Sequence, residues 1–198
     1  MNVAGLGCPK KRDKFLCLFK NIHQVDLLIM VETHFNNEII NKLKINSNIK
    51  NLLATSFSSN KCGVALISFN PNIVFEDSDI DEEGRYIFTK LKLNNKSYNL
   101  LSIYAPAADT IIKQHFYKKM LKKYKKTKID ILTGDFNSIS NSSDSSNGQV
   151  HKFAPLELLT NHFNLQDHWL LSKRGPKLTF SSRKNTGYSS RLDIMRVS

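Results

Sequence analysis

ILTGDFNSI, residues 131–139, carries a short apolar and β-branched run straight into Gly134, then sets an acid, an aromatic and an amide in a row. A run of that length bounded by glycine reads as a strand buried on both faces. Asp135 and Asn137 fall at its end, where packing needs neither. Layered α/β folds gather their site residues at the C-terminal edges of strands, so the stretch points to both an architecture and a place for chemistry.

The same pattern recurs on either side. VDLLIMVET, residues 25–33, is another continuous apolar run, and it closes on Glu32. SYNLLSIYAP, residues 97–106, closes on Tyr104. RYIFTKLKL, residues 85–93, alternates apolar and basic residues, and NNK turns it back as a hairpin. CGVALISF, residues 62–69, is a further strand with NPN as its turn, and LTFSS and SRLDIMRVS are two late strands, the second holding Asp193. Phe15, Leu18, Phe19 and Ile22 sit at helical spacing and predict a helix over 10–24. Residues 37–44, 111–126 and 154–163 are also read as helical, and SISNSSDSSNG, residues 138–148, as a polar loop. There is no internal repeat. Interleaved helices and hairpins predict an α/β (α+β) fold, a four-layer sandwich of two packed mixed β-sheets flanked by helices, as one domain over residues 1–198.

Composition narrows the class. A chain of 198 residues with 40% hydrophobic content can bury a sizeable core. No apolar run reaches the roughly 18–20 residues of a spanning helix, so no membrane role is expected, and no secretory signal is read at the N-terminus. Cys8, Cys17 and Cys62 are odd in number and form no CxxC pair, which fits reduced thiols better than a disulfide framework or a zinc site. The net charge of +12 favours a polyanionic partner, although Lys- and Asn-rich codon usage would raise it too.

Glu32, Asp135 and Asp193 place carboxylates on three different strands. An acid in a buried strand is costly unless paired or metal-bound. One such acid reads as a satisfied core carboxylate; three point to a shared cation. Oxygen donors without a His/Cys cluster suit Mg²⁺, with Mn²⁺ as the alternative. Such an ion acts on a phosphoryl oxygen, while a carboxylate activates water and an amide steadies the phosphate.

MNVAGLG, VETH, the YAP after LLSI, GDFN, LTFSS and SRLDIMRVS follow one another in the order of the endonuclease/exonuclease/phosphatase superfamily. The chain most resembles the endonuclease domain that opens non-LTR retrotransposon polyproteins; EGR (83–85) and DHW (167–169) are similar to that branch as well. The resemblance implies roles position by position. Asn2 would help hold the metal site and Glu32 would be the principal metal carboxylate. Tyr104 would contact the scissile phosphate, Asp135 orient or deprotonate the attacking water, Asn137 stabilise the oxyanion, and Asp193 serve as the late carboxylate. It further implies a Mg²⁺-dependent DNA endonuclease of nuclear location. Its partners would be double-stranded DNA, the element's RNA and a reverse transcriptase domain, with the nicked strand priming reverse transcription. The family's closing Ser-Asp-His motif is not found before Ser198, so a C-terminally truncated domain lacking its last strand is expected.

KRGPKLTFSSRKNTGYSSR, residues 173–191, resembles a hairpin that enters a DNA groove in the retrotransposon branch. Arg174, Lys177, Thr179, Arg183, Lys184 and Arg191 are its candidate DNA contacts, and basic residues in a narrow groove read DNA shape. KKMLKKYKKTK, ending the helix of 111–126, reads more simply as a solvated helix end. His34 is read as a loop histidine near the site and His168 as a packing residue. Two other functions stay open: a DNA-binding remnant without turnover, and a phosphodiesterase of the same fold acting on another phosphate ester.

Overall fold

The computed structural model describes residues 1–56, 61–107, 110–139, 141–148, 153–171, 178–181 and 189–198. The chain forms two compact units, Met1–Tyr104 and Ala105–Ser198.

The first unit is built on β1 (Leu27–Val31), β2 (Asn51–Ala54) and β3 (Val64–Ser68), ordered β1–β3–β2 with antiparallel pairing throughout. The N-terminal residues run parallel beside β1, through a bridge between Asn2 and Val31, which makes the sheet mixed. Arg12 holds that segment, donating from Nη1 to the carbonyls of Leu6 and Gly7, both at 3.2 Å. A meander of β4 (Ile73–Ile80), β5 (Tyr86–Leu93) and β6 (Lys96–Tyr104) supplies the second layer. The two sheets pack face to face, β2 on β4 and β3 on β5 and β6. Every residue of β3 is buried, which is why its sequence is apolar without alternation. Ala65 and Ile67 join Leu28 and Met30 of β1 under α1 (Pro9–Cys17) and α2 (Asn37–Lys44), in a core shared with Leu16, Ile40 and Leu43. Val64 and Leu66 leave the opposite face of β3, towards the second sheet.

The second unit carries β7 (Ile131–Asp135), β8 (Gln166–Asp167) and β11 (Asp193–Val197), with β11 antiparallel to both others. α3 (Thr110–Tyr124) buries Phe116, Tyr117, Met120 and Tyr124, and packs against α4 (Ala154–His162). A short turn, α5 (His168–Leu171), follows β8. β9 (Phe180–Ser181) and β10 (Ser189–Ser190) form a two-stranded ribbon just before β11.

The fold is thus α/β with packed sheets and flanking helices, as the sequence predicts. Among the described residues β2, β4 and the two-residue β8 and β10 escaped the sequence reading. The predicted helix of 10–24 is present, but its last turn, Leu18–Ile22, winds as a π-helix. Cys8 and Cys17 are exposed, Cys62 is buried, and all three are free thiols. No helix among the described residues is long and apolar enough to cross a membrane.

Candidate active site

In the first unit, the turn after β1 decides where Glu32 points. Glu32 and His34 both take left-handed backbone angles, φ 58° and 56°. Such angles cost non-glycine residues of order 1–3 kcal/mol and persist only where the surroundings enforce them. Here the enforcement is main-chain. Gly5 N–H donates to the Glu32 carbonyl at 2.8 Å, Thr33 N–H to Gly63 at 3.2 Å, and His34 N–H to Cys62 at 3.1 Å. Gly63 can come this close because it has no side chain; a Cβ there would lie 2.4 Å from Thr33 Oγ1.

So held, the Glu32 side chain is 29% exposed, with His34 Nε2 at 3.7 Å from Oε1. Asn2 donates from Nδ2 to Glu32 Oε2 at 2.6 Å, while its own amide oxygen accepts the Ala4 N–H. Asn2 is therefore placed to aim the carboxylate and has its oxygen engaged elsewhere. Among the described residues no three His, Cys, Asp or Glu side chains cluster as a metal cage. Mg²⁺ does not require one: it keeps several waters and binds through one or two carboxylates. A part-exposed carboxylate, fixed on one oxygen, fits that mode.

The same unit ties Tyr104 to the EGR turn. Gly84 O accepts from Gly63 N–H at 3.0 Å, and Tyr104 N–H donates to Arg85 O at 2.7 Å. The Arg85 guanidinium lies 5.0 Å above the Tyr104 ring, a cation–π contact that sets the ring's plane. EGR was visible in the sequence, but the stacking that gives Arg85 its place was not.

In the second unit, Asp135 and Asp193 are directly opposed in the β7–β11 register. Opposed residues share a face, and like charges there are destabilising unless a cation or donors intervene. Asp135 is buried and its Oδ1 accepts the Asn137 N–H at 2.8 Å. Asn137 adopts φ 45°, and its Nδ2 donates to Ala105 O at 2.7 Å, which fixes the orientation of the amide. Lys113, unnoticed in the sequence, donates from Nζ to Asn137 O at 2.6 Å. Burial pulls the Lys113 pKa below the usual lysine value, and the Asp135 carboxylate opposes that pull.

The expected DNA contacts divide. Arg174, Lys177, Arg183 and Lys184 lie outside the described residues. Thr179 accepts at Oγ1 from the N–H groups of Leu192 and Asp193, at 3.0 and 3.1 Å, and so steadies the entry to β11. Arg191 corrects the expectation made for it. It is buried and gives Nε to Asp144 at 2.7 Å and both Nη atoms to Asp167 at 3.2 and 2.6 Å. Burial lowers its pKa and the two carboxylates more than reverse this, so the net direction is up. A guanidinium engaged in this way is an internal clamp, not a DNA contact. Lys122 and Lys123 in the last turn of α3, and Lys125 and Lys126 just beyond it, are exposed, as a solvated helix end would be.

No protein-family model matches the chain. Its fold does match solved structures. A 3′-5′ exonuclease from Neisseria meningitidis superposes with a TM-score of 0.76 at 15% identity, covering 100% of this chain and 84% of the other. An AP endonuclease from Leishmania major gives 0.76 at 19% identity, with 100% and 77% covered. The endonuclease domain of TRAS1, a telomere-specific non-LTR retrotransposon, gives 0.64 at 12% identity, with 92% and 77% covered. The chain shares the fold of these nucleases. Among the proteins it resembles structurally are AP endonucleases and a retrotransposon endonuclease domain.

Proposed function

We propose that the chain is a divalent-metal-dependent endonuclease that hydrolyses one phosphodiester in double-stranded DNA. The observation that carries this reading is the end of β7, where an acid and an oriented amide occupy a left-handed turn that packing does not require. The Glu32 carboxylate aimed by Asn2 supports it.

Glu32 would hold Mg²⁺, with Mn²⁺ as a substitute, and the bound ion would polarise a phosphoryl oxygen. Asp135 would accept a proton from the attacking water. The water oxygen bonds to phosphorus as the bond to the 3′ oxygen breaks, and the departing 3′ oxygen takes a proton from solvent, leaving a 5′-phosphate and a 3′-hydroxyl. The Asn137 amide and the Tyr104 phenol would donate to the phosphoryl oxygens as negative charge grows on them. Asp193 would serve beside Asp135 as the late carboxylate. In a non-LTR retrotransposon the free 3′-hydroxyl would prime reverse transcription of the element's RNA in the nucleus. The TRAS1 endonuclease domain among the structural neighbours supports that setting.

Supercoiled plasmid with Mg²⁺ tests the reading. Glu32→Ala and Asp135→Ala should each slow nicking on the order of 10²- to 10³-fold. Nicking at the parental rate by both variants would overturn it. DNA binding without turnover in the parent chain would replace it with a binding role.

A further inference from the structure

We infer that Lys113 is a positioning residue of the nuclease site, holding the Asp135–Asn137 turn through the Asn137 carbonyl. The inference rests on the endonuclease reading above, and it adds a residue that no motif marks.

Asn137 sits in the left-handed region, which asparagine tolerates better than most non-glycine residues. Its side-chain amide is anchored on Ala105 O, and its N–H on Asp135 Oδ1. The carbonyl is the third handle, and the Lys113 ammonium takes it at 2.6 Å. A charged donor makes that bond about twice as strong as a neutral one. The rest of the Lys113 environment explains why an ammonium stays there. Its Nζ lies 5.7 Å from the centre of the Phe153 ring, a favourable site for a cation. Asp135 is close enough to favour the charged form. The opposed pair Asp135 and Asp193 gives the same strand end an excess of negative charge for a cation to offset.

Lys113 stands on the first turns of α3, between the exposed Ile111 and Ile112 and the buried Phe116 and Tyr117. Tyr117 donates its hydroxyl to Phe136 O at 2.7 Å, one residue before Asn137. Successive carbonyls of the turn, 136 and 137, are thus both held by α3, at positions one turn apart. Tyr117 supplies the buried neutral donor, and its burial raises its pKa further from deprotonation. Lys113 supplies the charged donor at the solvent side. The helix acts as a brace for the turn.

Three full-length proteins test this: the parent, Lys113→Met, which keeps length and loses the donor, and Lys113→Arg, which restores a charged donor. The first readout needs no activity: residue-resolved hydrogen exchange at the Asn137 amide. Lys113→Met should lower its protection about tenfold or more while the Leu132 and Ile194 amides, at hydrogen-bonding positions of the β7–β11 ladder, hold. The second is nicking: Lys113→Met should lower kcat on the order of 10- to 100-fold, with KM and the salt slope of DNA binding unchanged. Lys113→Arg should recover most of both. Unchanged Asn137 exchange, or a rise in KM with a flatter salt slope and no loss of kcat, would overturn the inference. If Lys113→Met lost the ladder protection as well, Lys113→Gln would be judged by the same readouts. A parent chain that never nicks would end the endonuclease reading, and the exchange experiment would still decide whether Lys113 holds the turn.

Discussion

Gly63 shows how much of the Glu32 turn depends on a missing side chain. It adopts φ 102°, and any Cβ there would press on the fully buried Thr33. Gly63→Ala should therefore cost about 2 kcal/mol or more, from left-handed strain and overpacking together, read from the urea midpoint at constant m-value. It should also depress Mg²⁺-dependent nicking more than its stability loss explains, because Gly63 O anchors Thr33, the neighbour of Glu32. Nothing in CGVALISF distinguishes this glycine from one that merely opens a strand. The left-handed angles at Glu32 and Asn137 are equally invisible in the sequence, since both are imposed by hydrogen bonds from residues far along the chain.

Arg191 joins three segments, the 3₁₀ turn Ser142–Asp144, β8 with its Asp167, and the entry to β11. Its side chain is 4% exposed, and those of Asp144 and Asp167 are 0% and 4%. Removing one member of a buried ion network leaves uncompensated charge, so Arg191→Met should destabilise by about 3–5 kcal/mol. Combining it with Asp144→Asn and Asp167→Asn should recover part of that loss in urea denaturation. An effect on DNA affinity alone, with stability unchanged, would return Arg191 to the surface role that its sequence context implied. The two longer elements missed by the sequence reading have a plain cause. β4 carries Glu76, Asp77 and Asp79 and is broken by an irregularity between Glu76 and Asp79, with Asp77 at φ 46°. β2 is a four-residue strand of half-buried residues. Neither offers the alternation or the continuous apolar run that marks a strand.

The charge of +12 belongs to the chain as a unit and makes a prediction of its own. Binding to duplex DNA of arbitrary sequence should weaken linearly in log–log form with salt, by about 0.9 in slope for each phosphate contacted. A slope shallower than about −3 would mean that the basic residues are scattered solvation and not a footprint. Composition, strand runs and the acids and amides that end them were sufficient to give the α/β class, the helix at 37–44, and the candidates Glu32, Asp135, Asn137 and Asp193. These are local signals: burial on both faces writes itself into a continuous apolar run, and a polar residue closing such a run needs a reason. Tertiary structure alone decided that Asn2 aims Glu32, that Arg191 is a clamp, and that Lys113 reaches the Asp135–Asn137 turn. Each of these depends on which distant segment supplies the partner atom, and a lysine on a basic helix or an arginine in a basic stretch looks the same in sequence whether it meets solvent, a phosphate or a buried carboxylate.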